Sequence, residues 1–262
     1  LIVKGPASFT IQAAFHILLF KPTIVLGVGG YVTGPVIVAA KLLGKRTVIH
    51  EQNSVPGLAN RKLGGIVDKI CISLPQSASF FPESKTHLTG NPVRRALLDV
   101  AKNTENINSA EKRTLLVLGG SLGAHRLNEL VTQALCQYLS SLPVKVIHQT
   151  GDADYTMVKE KYAEHGVNAI VEPFFNNMAE IYAEADLLVS RAGATTLAEI
   201  AVLGKAAILI PYPFAADNHQ HKNADYYVDG GGCLKFSEEE LTDSELAQNI
   251  QKTFDDRQLM EM

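Results

Sequence analysis

One local plan recurs along this chain and limits what it can become: a short apolar run ends in glycines, and a stretch with helical spacing follows. Its sharpest instance is L-L-V-L-G-G-S-L-G-A-H-R-L-N at 115–128. Strand-like and helix-like periods alternate on both sides of it. That is the pattern of parallel α/β construction, because parallel neighbours need a crossover long enough to hold a helix. The periodicity predicts strands at 23–27, 47–50, 69–72 and 86–88, then at 114–118, 144–148, 168–171, 187–189 and 206–211. Helices fall between them, and the tail after Asp243 also reads as helix. The stretch A-K-N-T-E-N-I-N-S-A-E-K at 101–112 has no apolar rhythm and reads as a connection. The expected division is a partial first domain at 1–94, a linker at 95–113 and a doubly wound Rossmann-type second domain at 114–262.

With 262 residues, 46% of them hydrophobic, the chain can bury a substantial core. Cys71, Cys136 and Cys233 form no C-x-x-C pair and leave an odd thiol, so a reduced cytosolic setting fits better than a disulfide framework. The apolar run at 17–20 is too short to span a bilayer, and no signal-peptide cleavage pattern follows it. Because the first residue is Leu1 rather than Met, the expectation is a stretch of a longer protein. The net charge of −3 is unevenly spread: residues 1–100 hold 11 Lys and Arg against 4 Asp and Glu, and the remainder holds 13 against 23. A local +7 suits an anionic partner such as nucleic acid, a membrane or a phosphorylated substrate, or is simply a solvated face.

Glycines let the backbone turn tightly and approach a ligand, while unpaired N–H groups at a helix start attract a diphosphate. The turn at 119–123 has both features, and Ser121 adds a hydroxyl; a purely structural turn has the same composition. V-L-G-V-G-G-Y-V-T-G-P at 25–35 repeats the plan, with Pro35 suited to a first helical turn, and two such turns imply a cleft between domains. Its G-x-G-G lacks the G-x-G-x-x-G spacing, and no carboxylate follows at the usual distance, which argues against a dinucleotide oxidoreductase. In S-R-A-G-A-T-T-L-A-E at 190–199, Arg191 stands where a phosphate-facing cation belongs and Glu199 where a carboxylate accepts ribose hydroxyls. The competing reading is an Arg191–Glu199 surface pair. The loop at 211–224 offers Asp217, Asn218, His219, Gln220 and Asn223 to sugar hydroxyls. His219 and His221 face different sides of a helix, so no metal is expected there. Asp152-Ala153-Asp154 spells a D-x-D, but it precedes a helix, where capping and dipole compensation account for it.

Taken together, G-V-G-G-Y-V-T-G-P (27–35), H-E-Q-N (50–53), G-N-P-V-R (90–94), G-G-S-L-G-A (119–124), R-A-G-A-T-T-L-A-E (191–199) and D-N-H-Q-H-K-N-A (217–224) closely resemble the MurG family. These bacterial enzymes move N-acetylglucosamine from its UDP carrier onto lipid I in peptidoglycan synthesis. The resemblance runs from near the first residue to near the last, with the motifs in family order. It implies the GT-B fold, with two Rossmann-like domains facing across a cleft, inversion at the anomeric carbon, and neither cofactor nor metal.

Carried over by position, the resemblance puts Ser121, its neighbouring glycines and Arg94 on the donor diphosphate, with Arg191 on the same side, and Glu199 on the ribose. The backbone at Phe175, within E-P-F-F-N-N-M-A at 172–179, would read the uracil edge, and His219, Gln220 and Asn223 the sugar. Some relatives carry Gln at position 219. On the acceptor side the resemblance implies Gly29, Gly30 and Tyr31 near the lipid-linked diphosphate, with Asn53 and Asn91 beside them and Glu51 as the nominated catalytic base. The implied partners are UDP-GlcNAc, lipid I and the cytoplasmic face of the bacterial plasma membrane, met peripherally, and no nucleic acid. Phe9, Phe15, Leu18 and Leu19 beside Lys21 are candidates for membrane contact, with burial in the core the favoured alternative.

The family's opening Gly-rich turn, whose His is a candidate for proton transfer, has no counterpart in this sequence, nor have its closing helices. The full protein is therefore expected to be the transferase, serving cell-wall biogenesis, shape and division. This stretch alone need not be more than a UDP-sugar-binding module. A different GT-B transferase or a UDP-sugar epimerase is the alternative, against which G-N-P-V-R and H-E-Q-N argue.

Overall fold

A computed structural model describes residues 6–103, 113–120, 123–140 and 142–260. The chain forms two compact units, Leu1–Asn91 and Pro92–Met262, each built on its own parallel sheet.

In the first unit, helix α1 (Pro6–Phe20) leads to β1 (Ile24–Gly27), α2 (Thr33–Leu42), β2 (Arg46–Glu51), the short α3 (Leu58–Leu63), β3 (Lys69–Ile72) and β4 (Thr86–Leu88). The strands lie in the order β1-β2-β3-β4, all parallel. Ile37, Ile49, Val67, Ile70 and Ile72 form the core, joined by Ala13 and Ile17 of α1. As an edge strand, β1 buries Val25 but leaves Ile24 and Leu26 52% and 60% exposed. Phe9, Phe15, Leu18 and Leu19 of α1 face solvent, so the favoured assignment of those residues to the core is corrected: the helix buries one narrow stripe and its other faces are apolar too.

The second unit begins with α4 (Arg95–Asn103), followed by β5 (Arg113–Leu118), α5 (His125–Ala134), β6 (Val144–Gln149), α6 (Tyr155–Glu164), β7 (Ala169–Glu172), α7 (Met178–Glu184), β8 (Leu187–Ser190), α8 (Ala194–Leu203), β9 (Ala206–Leu209), α9 (His219–Asp229), β10 (Leu234–Lys235) and α10 (Asp243–Asp255). Six parallel strands take the order β10-β9-β8-β5-β6-β7. Successive β5 side chains serve opposite faces: Leu115 and Val117 pack with Leu127, Val131 and Ile250, while Leu116 and Leu118 pack with Tyr182, Leu188 and Leu197. Helices on both faces are why these strands read as unbroken apolar runs rather than alternating ones.

The predicted strands match the observed ones to within a few residues, whereas the two-residue edge strand β10 had no predicted counterpart. The linker expected at 95–113 is helical in its first part. Its α4 belongs to the second unit, where Leu97 is buried beside α7 and α8 and Val100 and Ala101, three and four positions on, pack against the same core; that helical spacing is present in the sequence, and the linker reading overlooked it. Residues 104–112 of that expected linker lie outside the described residues.

Candidate functional site

In the six-stranded sheet β6 and β7 lie to one side of β5 and β8, β9 and β10 to the other, so the winding reverses between β5 and β8. Ligands of open parallel sheets bind outside the carboxyl ends of the strands at such a point. The turn leaving β5 carries Gly120 and Gly123 in the left-handed region, at φ 92° and 78°. A Cβ on Gly123 would sit 2.4 Å from the Thr150 carbonyl oxygen, so the turn has no room for another residue there. Beyond it, α5 opens after Ala124, and α8 on the other side of the reversal opens after Gly193, neither with a side-chain cap. Such helix starts present N–H groups toward the crevice, the arrangement that suits phosphate oxygens. Ser121, expected on the diphosphate, lies outside the described residues.

Glu199, expected on the ribose, is buried on α8. Its Oε1 accepts from Arg94 Nε and Nη2 at 3.2 and 2.9 Å, and its Oε2 accepts from the Tyr182 hydroxyl at 3.0 Å. Burial, then the Glu199 charge, holds the Tyr182 phenol well above its ordinary pKa, so it remains a donor. Arg94 was expected on the diphosphate; its guanidinium is instead tied to Glu199, with more than half of the side chain exposed. Tyr182 was not foreseen, although a Tyr one strand-helix unit before a buried Glu is a usable signal for a carboxylate partner.

Arg191 corrects the expectation most clearly. Its guanidinium is buried, donates to the Ile210 and Pro211 carbonyls at 3.0 and 3.2 Å, pairs with Glu238, and lies 5.5 Å from the Tyr212 ring centre. It pins the start of the following loop and pairs with Glu238 rather than Glu199. The loop itself is partly committed. Gln220 Oε1 accepts from the Ala192 and Tyr212 N–H groups at 3.2 and 2.9 Å, and fully buried Asn223 donates to the Ala192 carbonyl at 3.3 Å. His219 Nδ1 lies 2.8 Å from the Ala216 carbonyl. Asp217 and Asn218 just before it both have positive φ, 53° and 55°, an unfavourable conformation of the sort that collects at functional loops.

Beneath the β5 turn runs a polar chain that sequence reasoning missed. Asp154 Oδ1 is 2.7 Å from His125 Nδ1, and Asp154 Oδ2 accepts from Asn128 Nδ2 at 2.7 Å. Asn128 Oδ1 is 3.1 Å from His148 Nε2, whose other nitrogen lies 2.9 Å from the Tyr162 hydroxyl. Asp154 stands at the cap position of α6 but makes no cap bond, so the capping explanation of the D-x-D is corrected: the carboxylate spans to α5 instead. Its hydrogen bond and charge raise the His125 pKa, while burial pushes His148 down to about 3.

The first unit holds a cavity of about 490 Å³ lined by Gly29, Gly30, Tyr31, Glu51, Asn53 and Asn60, among others. Gly29 and Gly30 have φ 96° and 79°, and Tyr31 is fully exposed. Glu51, nominated as the base, is 1% exposed and accepts from the Asn53 N–H and Nδ2 at 3.0 and 3.2 Å, the Gly57 N–H at 3.2 Å and Asn60 Nδ2 at 2.8 Å. A carboxylate offers about four lone-pair sites, so none is left to take a substrate proton, and the assignment is corrected: Glu51 shapes the 51–60 loop. Asn60 Oδ1 is buried with no hydrogen-bond partner among the described residues, an acceptor that no sequence motif announced. Asn91 follows Gly90, whose carbonyl is 3.0 Å from His50 Nε2.

Residues 114–262 match the glycosyltransferase family 28 C-terminal domain, and residues 3–72 match the family 28 N-terminal domain. The chain belongs to glycosyltransferase family 28. Within family 28 it is similar to a protein of Desulfotalea psychrophila, 56% identical over 92% of this chain and 65% of that protein, and to one of Geobacter sulfurreducens, 45% identical over 97% and 71%. Both are named UDP-N-acetylglucosamine--N-acetylmuramyl-(pentapeptide) pyrophosphoryl-undecaprenol N-acetylglucosamine transferase. The chain thus spans about two thirds, 65%, of the length of the Desulfotalea relative. The crystal structure of Acinetobacter baumannii MurG superposes with a TM-score of 0.76 at 34% identity, covering 98% of this chain and 74% of that one. A Neisseria meningitidis UDP-GlcNAc 2-epimerase structure, at 12% identity and TM-score 0.67, shares the fold. The MurG resemblance and the GT-B fold class read from the motifs are borne out, with each unit a parallel α/β body.

Proposed function

We propose that the protein carrying this chain is an inverting glycosyltransferase that moves N-acetylglucosamine from UDP-GlcNAc to the MurNAc 4-hydroxyl of lipid I, giving lipid II for peptidoglycan. Cell-wall growth, shape and division depend on that product. The observation that carries the reading is 56% identity to a relative whose name states this transfer. The second unit supports it: a glycine turn opening α5 at the winding reversal suits a diphosphate, and a buried carboxylate held by Arg94 and Tyr182 suits a ribose.

On this reading the turn at 119–124, with Ser121, takes the donor diphosphate, and Arg94 adds charge from its place beside Glu199. The Phe175 backbone meets the uracil. Gln220 and His219 meet the sugar, and Asn223 holds the segment that presents them. On the acceptor side, Gly29, Gly30, Tyr31, Asn53 and Asn91 frame the lipid-linked substrate.

The acceptor oxygen attacks the anomeric carbon as the bond to the diphosphate breaks, and UDP leaves with the electron pair. Charge growing on UDP is met by fixed N–H dipoles and a guanidinium, so electrostatic stabilisation does most of the work. The hydroxyl proton goes to a base other than Glu51.

A peripheral place on the cytoplasmic membrane follows from the same reading. The basic first 100 residues and the exposed apolar side chains of α1 support it, and among the described residues no helix is long and apolar enough to cross a bilayer. Incubating the whole protein with UDP-GlcNAc and lipid I should release UDP only when both are present. Release without lipid I, or conversion of UDP-GlcNAc to its 2-epimer, would sink the proposal.

A further inference from the structure

Gln149 ends β6 and lies in register between Leu118, the last residue of β5, and Glu172, the last of β7. It therefore stands at the carboxyl edge between two outgoing turns. Its side chain is buried, and its two ends are used in opposite directions. Oε1 accepts from the Phe175 N–H at 3.1 Å, and Nε2 donates to the Gly120 carbonyl at 3.3 Å. A primary amide meets an N–H on one side and a carbonyl on the other in only one orientation, so the two bonds fix each other. The next residue adds a second tie, because the Thr150 carbonyl lies directly under Gly123 and accepts from Asn128 Nδ2 at 2.9 Å.

The geometry points to Gln149 as the positioning residue that locks the base-reading turn to the diphosphate turn, so that uracil and diphosphate are recognised as one rigid unit. This rests on the reading of the second unit as a UDP-sugar site. Gln149 holds the Phe175 N–H, which leaves the Phe175 carbonyl to meet the base. A carbonyl accepts from the N3–H of uracil and repels the lone pair that cytosine carries at N3. That difference is read only if the carbonyl cannot shift relative to the diphosphate. An apolar side chain of similar size at 149 leaves the Phe175 N–H without its acceptor and removes the side-chain link between the two turns.

The test is calorimetric titration of the whole protein with UDP and with CDP, for wild type, Gln149→Leu and Gln149→Glu. Wild type should prefer UDP, and Gln149→Leu should reduce the ratio of CDP to UDP dissociation constants about tenfold. A merely structural role would weaken both nucleotides equally. Gln149→Glu keeps the acceptor for Phe175 but sets a carboxylate against the Gly120 carbonyl near the diphosphate. With the tie to Gly120 lost it should weaken both nucleotides and also lower the ratio, which reads the inference even where the Leu variant does not fold. A folded Leu or Glu variant with an unchanged ratio overturns the inference alone. A wild-type protein that binds neither nucleotide overturns the UDP-sugar reading and this inference together.

Discussion

Tyr182 donates its hydroxyl to Glu199 Oε2 at 3.0 Å while Arg94 takes Oε1 at 2.9 Å, so the carboxylate is gripped by two different helices' neighbourhoods. Tyr182→Phe removes one donor from a buried charge. It is expected to weaken UDP-sugar binding severalfold and to lower stability by about 1–2 kcal/mol. Glu199→Ala should weaken binding by well over about tenfold, since hydrogen bonds to charged groups are the stronger class. Calorimetric titration reads both, and unchanged affinity in Glu199→Ala removes the ribose role.

Gly123 and Gly30 both have left-handed φ, 78° and 79°, yet their surroundings differ. A Cβ on Gly123 collides with the Thr150 carbonyl at 2.4 Å, whereas one on Gly30 meets nothing within 4 Å. Gly30→Ala should therefore cost only the conformational strain, about 1–2 kcal/mol, and Gly123→Ala clearly more, with loss of UDP binding. Denaturant titration ranks the two, and equal costs would contradict the packing argument.

The burial of Arg191 with Glu238 makes a structural prediction out of a residue that sequence spacing assigned to phosphate. Arg191→Met strands a buried carboxylate and should cost about 3–5 kcal/mol, most of it regained in the double variant Arg191→Met/Glu238→Gln. Selective loss of UDP affinity at unchanged stability would restore the phosphate role.

The two histidines of one polar chain should give opposite pH slopes. His125 is raised by Asp154, so its contribution is complete below its unfolded pKa and is lost as pH rises through the raised value. The imidazole is largely exposed, so this effect is small. His148, held neutral by burial down to about 3, works the other way: the unfolded chain takes up a proton first, and stability falls as pH drops below the ordinary histidine value toward 3. Melting temperature against pH should show His148→Gln flattening the acid limb and His125→Gln flattening only the shallow fall above neutrality.

Membrane attachment through α1 predicts that the double variant Phe15→Ser/Leu18→Ser lowers binding to vesicles containing anionic lipid and leaves UDP affinity unchanged, since both side chains already face solvent. Sedimentation with vesicles measures the first effect. Equal sedimentation of variant and wild type removes these residues from the contact.

The frame was legible because buried parallel strands write themselves as apolar runs and because Gly120 and Gly123 have no substitute at their φ values. Direction was not legible. The spacing located Arg191 beside a helix start, but its guanidinium turns toward Glu238, which stands 47 positions later. Likewise H-E-Q-N marked Glu51, while the donors from Gly57 and Asn60 that occupy it depend on how the following loop curls back. Gln149 sits in no motif, and its pairing of two turns exists only once β5, β6 and β7 are side by side.

Because all six strands of the second unit point the same way, each hands its chain over at a single rim, while the strand bodies answer only to the helices around them. Drift at that rim can retune which cargo is accepted without touching what keeps the body folded. A screen for altered donor preference is therefore best confined to the rim, and substitutions inside β5 will register as melting rather than as a new choice of sugar.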